Sequence, residues 1–189
     1  MDIVLVICGV LAVILYIWYA KIISRRNTAR EALSGIDVQL TKRSELIPNI
    51  LAIAKKFMEH EKELLEKVTA LRSKANAKYD ELDPKQVAKH LEDSAALGAQ
   101  MGKLMISMEA YPDLKSNETM LQAQKSYNEV EAQIAAARRF YNSAVSDLNN
   151  SIEIFPGSLL APLANSRPMP FFEGETSSRE PVDAGKLLG

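Results

Sequence analysis

Cysteine occurs once in the 189 residues, at Cys8, and histidine twice, at His60 and His90. So few ligands exclude a disulfide framework, a zinc ribbon and an iron–sulfur site. Glycine is scarce too: eight are scattered along the chain, and none forms the cluster from which a phosphate-cradling loop is built. No charge sign dominates, since 23 lysines and arginines face 24 aspartates and glutamates for a net charge of −1. Without a basic field, nucleic acid is not expected as a partner. No metal, cofactor or small-molecule substrate is expected either. What is present, 47% apolar and 25% charged residues over one domain's length of chain, suffices to bury one core and solvate its surface.

Long hydrophobic runs are absent except at the start. From Ile3 to Ala20 every residue is apolar, aromatic or glycine. At about 1.5 Å per residue this run approaches the ~30 Å thickness of a bilayer's hydrocarbon core, with Ile22 and Ile23 extending it. Tyr16, Trp18 and Tyr19 crowd its C-terminal end, where rings with a polar tip sit well among headgroups, and Lys21 has a stem long enough to snorkel. A cleaved signal peptide would carry positive charge before the run and a small-residue site after it, whereas Asp2 precedes and Tyr19-Ala20-Lys21 follows. Residues 1–23 therefore read as a retained single-span anchor. Lys21, Arg25, Arg26 and Arg30 follow the span and no cation precedes it, which predicts an outside N-terminus and a cytoplasmic domain. Cys8 falls within the span and reads as a packing or lipid-facing residue.

The next stretch, residues 24–155, carries helical heptads. Counting by sevens from Leu33 meets Leu40, Ile47, Ala54, Glu61, Val68 and Ala75; from Ile36 it meets Arg43, Ile50, Phe57, Leu64, Leu71 and Lys78. Such an a/d seam predicts one helical run over about Ser24 to Tyr79. Pro48 inside it lacks a donor and crowds the preceding turn, so a kink or break is expected near Glu45 to Ile47. A second helix starts at Pro84, with Val87, Leu91, Ala95, Gly98, Met101, Met105 and Met108 on one face, and ends at Tyr111-Pro112. Gly98 and Gly102 are costly mid-helix, and close approach of a neighbouring backbone is the simplest explanation. Asn117 reads as an N-cap of a third helix whose sevens run Met120, Tyr127, Ile134, Tyr141, Leu148 and Phe155, until Pro156-Gly157 stops it. The expected fold is all-α: the membrane helix followed by an elongated antiparallel bundle of three long helices, or four if Pro48 divides the first.

After Phe155, five of the eight prolines and four of the eight glycines fall in the last 34 residues, so 156–189 reads as an unpacked tail. Phe171-Phe172 stands out in it. Two adjacent phenylalanines are costly to leave in water, and docking on a groove of this chain or another is the alternative to a plain disordered tail.

Several blocks of specific polar residues resemble the LemA family. They are Ile36-Asp37-Val38-Gln39-Leu40 with Lys42-Arg43-Ser44-Glu45-Leu46-Ile47-Pro48-Asn49-Ile50, then Glu109 to Lys115, Ala137-Arg138-Arg139-Phe140-Tyr141-Asn142, Phe155-Pro156-Gly157 and Phe171-Phe172-Glu173. The resemblance implies a bacterial membrane protein with one N-terminal span, a helical-bundle domain and no established catalytic activity.

Charges at a packed seam must pair. Arg43 occupies such a position, with Asp37 and Glu45 on the same helix and Glu131, Arg138 and Arg139 on the last one. These residues, with Asn49 near the donor-deficient turn and Asn142, read as an interhelical polar network that sets register, the other reading being a ligand site. Enzyme chemistry has little to use: Glu59-His60-Glu61 lacks the two-histidine helical spacing of a zinc protease, and neither Phe57 nor Val87 supplies the glutamate of a Glu-x-x-His metal pair. Two functions remain, an interaction or scaffold module at the bacterial inner membrane, and an oligomeric structural protein that organises or shapes the membrane. The partners would be the membrane and other proteins or further copies of the chain.

Overall fold

The computed structural model describes residues 2–173, which form six α-helices, a short 3-10 turn at Glu59–Glu61, and no strand. The helices are α1 (Asp2–Ala54), α2 (Lys62–Ala75), α3 (Pro84–Met108), α4 (Pro112–Lys115), α5 (Glu118–Glu153) and α6 (Gly157–Leu160). The all-α expectation holds, with the long apolar helix leading.

Helix α1 is unbroken for 53 residues but changes surroundings midway. Its N-terminal part contains an 18-residue window of mean hydropathy 2.7, none of it buried, and among the described residues α1 alone is long and apolar enough to cross a membrane. From Ile22 onward one face is buried instead: Ala29, Leu33, Ile36, Leu40, Arg43, Ile47, Ile50 and Ala54, as both counts by seven require.

The expected break at Pro48 does not occur. Proline removes the donor that would reach the Ser44 carbonyl one turn back. Arg72 on α2 supplies a replacement, its Nε donating to that carbonyl at 2.8 Å, and the helix continues for six residues. Asn49, expected to serve this turn, is exposed. The chain reverses after Ala54 instead, around the buried Met58, and α2 ends at Ala75 rather than Tyr79. The helix start expected at Pro84 forms, with Asp83 capping it by accepting from the Lys85 amide, and the anticipated cap at Asn117 forms by accepting from the Met120 amide.

Cross-helix bonds define the packing. Arg25–Asp147 and Arg43–Glu131 run α5 antiparallel to α1. Ser44 meets Arg72 and Asn76 at the end of α2, so α2 returns along α1, and His90 and Ser94 of α3 lie beside Asp37 and Arg43. The result is an up-down-up-down four-helix bundle. Its core has two parts. One, nearer the exposed apolar part of α1, holds Ile22, Leu33, Ile36, Leu40, Leu91, Ile134, Tyr141 and Leu148; the other holds Ile47, Ile50, Met58, Leu97, Met101, Leu104, Met120 and Tyr127. On α3 the buried face is turned slightly from the expected one, with Ser94, Leu97 and Leu104 inside and Met105 at the margin.

The tail differs most from expectation. Leu160, Ala161, Ala164, Ser166 and Phe172 are buried, because the chain turns at α6 and runs back along α5. Asn165 makes part of that reversal in the left-handed region, at φ 47°, a conformation asparagine tolerates better than most residues. The remainder of the expected tail, 174–189, lies outside the described residues.

Candidate functional site

The residues expected to form one polar network are distributed over three separate places. The first is a closed layer between the two parts of the core. Arg43 is 3% exposed, donates from one terminal nitrogen to the Ser94 carbonyl at 2.7 Å and from the other to Glu131 at 3.3 Å. Gly98 explains itself here: a Cβ on it would sit 3.0 Å from the Arg43 guanidinium. What approaches this glycine is an arginine head, not the neighbouring backbone that the sequence suggested, and nothing approaches Gly102. Among the described residues the Arg43 Nε, the Ser94 hydroxyl and the Tyr127 hydroxyl have no hydrogen-bond partner. Burial, followed by the Glu131 carboxylate, pushes the Tyr127 phenol far above its ordinary value, so it stays protonated.

The second place is open. Asp37, about two turns before Arg43 on α1, accepts from the Tyr79 hydroxyl through Oδ2, while Nε2 of His90 lies 3.0 Å from Oδ1. The Tyr79 and His90 rings stack with centroids 4.1 Å apart. An ionised carboxylate only accepts, so the shared hydrogen sits on Nε2 of His90. Desolvation and the bond to Asp37 push the Tyr79 phenol far up, which keeps it a donor. These three residues line a cavity of about 570 Å³ together with Ser44, Glu45, Arg72 and Asn76. A carboxylate-oriented histidine needs a nucleophile beside it to act in acyl transfer. The Ser44 hydroxyl, which shares the cavity, accepts instead from Asn76 at 2.6 Å.

The third place is a clamp. Asn142 donates to the Phe172 carbonyl at 3.0 Å and accepts from its amide at 2.8 Å; one heptad later, Asn149 does the same to Met169 at 3.0 and 2.9 Å. Tyr141 adds a bond to the Pro170 carbonyl. Two asparagine side chains thus pair with the extended 169–172 backbone much as a neighbouring strand would. Phe172 is buried beneath the Arg138 guanidinium, 5.9 Å from the ring centre, so its docking is on its own chain, while Phe171 is half exposed.

Arg43 and Glu131 are therefore brought together, Asp37 is joined to Tyr79 and His90, and Asn142 and Arg138 serve the clamp. Glu45, Asn49 and Arg139 are exposed and make no ion pair among the described residues. Sequence reasoning missed Tyr79, His90, Arg72 and Asn149. Only Asn149 left a usable signal, the seven-residue spacing from Asn142; the others come from loop or helix positions whose neighbours depend on helix rotation.

A further concavity lies at the end of the bundle remote from the exposed apolar part of α1. It measures about 580 Å³ and is lined by Leu51, Met58 and Leu65, with Lys55, Glu59, Lys62 and Glu66 at its rim.

The model of the LemA family matches residues 32–184, which takes in the closed layer, the open cavity and the clamp. Two curated relatives, magnetosome proteins MamQ 1 and MamQ 2 of Paramagnetospirillum magneticum, are each 30% identical over 91 residues. That match covers 48% of this chain and 34% of each relative, so the similarity spans about a third of the relatives' length. On the extent of the family match, this chain belongs to the LemA family.

Proposed function

We propose that this protein is a non-enzymatic, membrane-anchored interaction module whose bundle stands on the cytoplasmic side of a bacterial inner membrane. The observation that carries this reading is the apolar groove at Leu51, Met58 and Leu65, held remote from the anchor by one unbroken helix. Thirty residues separate Lys21 from Leu51, about 45 Å along α1, so the groove is presented well clear of the lipid. An apolar floor with charged residues of both signs at its rim suits an amphipathic helix of another protein. Lys21, Arg25, Arg26 and Arg30 support the cytoplasmic placement, and a reporter fused after Gly189 is expected to be active only in cytoplasmic form.

The alternative is an oligomeric structural protein that organises or shapes the membrane. Crosslinking in intact membranes, with a photoreactive residue at Leu65 and sizing of the products, separates the two. A discrete adduct with a different protein supports the interaction module. A ladder of self-adducts supports the structural role, and monomer alone removes both.

A further inference from the structure

Phe155 continues the count by sevens along α5, yet it is 73% exposed. The helix has ended at Glu153, and Pro156-Gly157 has begun a turn. This turn is packed hard against the end of α5: a Cβ on Gly157 would lie 1.9 Å from the Ser151 carbonyl oxygen. One side of it belongs to the core, where Ile152, Leu160, Ala161 and Ala164 gather with Ile22 and the partly buried Trp18. On its other side Ile154, Phe155, Leu159 and Leu163 are 57%, 73%, 66% and 74% exposed. Four large apolar side chains within ten residues are thus left uncovered at one end of the bundle, a concentration that marks a contact surface.

Register identifies what covers them. Asp147 is level with Arg25, and α5 runs antiparallel to α1. Six residues onward from Asp147 is Glu153; six residues back from Arg25 is Tyr19. The turn therefore lies level with Trp18, Tyr19 and Lys21, where α1 passes from the packed bundle into its wholly exposed apolar part. Lys21 Nζ rests 4.6 Å from the Trp18 ring, the amphipathic pairing expected at a headgroup layer.

We infer that the 154–163 turn is a second membrane contact, with Ile154, Phe155, Leu159 and Leu163 seated in the interfacial layer of the leaflet from which α1 emerges. This rests on the reading that residues 3–20 span the bilayer. An element of this kind binds lipid through its buried apolar area. Joined rigidly to α1 through Ile22 and Leu160, it holds the bundle end-on to the membrane and stops it from swinging about the anchor.

Depth-dependent quenching on the full-length chain tests this. Against a Cys8→Ala background, single cysteines are placed by Phe155→Cys, Leu163→Cys, Val10→Cys and Lys103→Cys and labelled with a polarity-sensitive fluorophore. The protein is reconstituted in phosphatidylethanolamine–phosphatidylglycerol vesicles. The labels at 155 and 163 are expected to be quenched at least about twofold more than the label at 103 by lipids with a nitroxide near the headgroup end of the acyl chain, and to be shielded from aqueous iodide. Adding Leu159→Gln, which leaves the core side of the turn untouched, should weaken the shallow quenching at 155. If 155 and 163 respond to iodide as 103 does while 10 is quenched by a nitroxide at mid-bilayer, the span stands and the second contact is overturned. Iodide quenching at 10 as well would overturn the spanning reading and the contact with it. Shielding from both quenchers that disappears when the protein is diluted in lipid would mean that a second copy covers the turn, which also overturns the inference.

Discussion

Arg43 and Asp37 are charges of opposite sign, six residues and so about 120° apart around α1, and both meet α3, yet they live in different surroundings. Arg43 is enclosed between the two parts of the core and is answered by a backbone carbonyl, one carboxylate and the space left by Gly98. Asp37 is answered by Tyr79 and His90 beside an open cavity. The difference teaches that a polar residue on or beside a heptad seam has no fixed meaning. Where four helices close around Arg43 the charge is held by fixed partners; where the α2–α3 connection leaves a gap, Asp37, one residue past the seam position Ile36, becomes part of the wall of a cavity.

The largest way to test the contrast is Arg43→Met, which keeps length and removes charge. It strands Glu131 and should cost about 2–3 kcal/mol in a denaturant melt, somewhat under the usual range for breaking a buried pair because Glu131 is 35% exposed. Removing the carboxylate as well, with Glu131→Gln, should restore part of that loss, whereas Glu45→Gln should restore none. A cost below about 0.5 kcal/mol would place Arg43 with ordinary surface residues and end the contrast.

Alkaline pH acts on both layers at once. Tyr127 in the closed layer, Tyr79 in the open one and Tyr141 beside the clamp all have phenols raised by burial first of all. A folded-state value above the unfolded one means that the unfolded chain releases protons first, so the stability is complete below about pH 10 and falls as pH rises beyond it. A loss of about 2 kcal/mol by pH 10.5 is expected. In a variant whose other tyrosines, Tyr16, Tyr19 and Tyr111, are replaced by phenylalanine, tyrosinate absorbance should appear only as the helix signal disappears, and tyrosinate forming in that folded variant at about pH 10 would contradict the burial of these three rings.

Gly98→Ala sharpens the contrast from the other side of Arg43. With Arg43 present the methyl group displaces the guanidinium, and a cost of about 1 kcal/mol is expected despite the better helix propensity. In the Arg43→Met background the same change should stabilise by up to about 1 kcal/mol. Equal effects in both backgrounds would show that the two residues do not interact.

Smallest is Tyr79→Phe. It removes one donor to Asp37, but solvent in the cavity can hydrate the carboxylate, so under about 1 kcal/mol is expected in the same melts. A loss as large as that of Arg43→Met would mean that the open layer is structurally no different from the closed one.

Local chemistry alone determined much of this protein. A run of apolar residues long enough to span a bilayer, heptad seams that place Leu33, Ile36, Leu40, Ile47 and Ile50 inside, and capping residues at Asp83 and Asn117 all follow from 1.5 Å per residue, 3.6 residues per turn and the orphan amides at a helix start. Those rules involve near neighbours, so they can be read without a fold. Only the tertiary structure decided who meets whom. Arg72 rescuing the carbonyl that Pro48 leaves free, His90 reaching Asp37, Gly98 making room for Arg43, and Asn142 with Asn149 drawing 169–172 onto α5 each join residues between 20 and 55 positions apart in the chain. Such pairings depend on the rotation and axial offset of whole helices, which are set by the sum of all packing contacts. For the same reason the seam count carried Phe155 correctly along α5 and then misplaced it: periodicity continues in the sequence after the helix has stopped, and only the turn at Gly157 decides which way the ring faces.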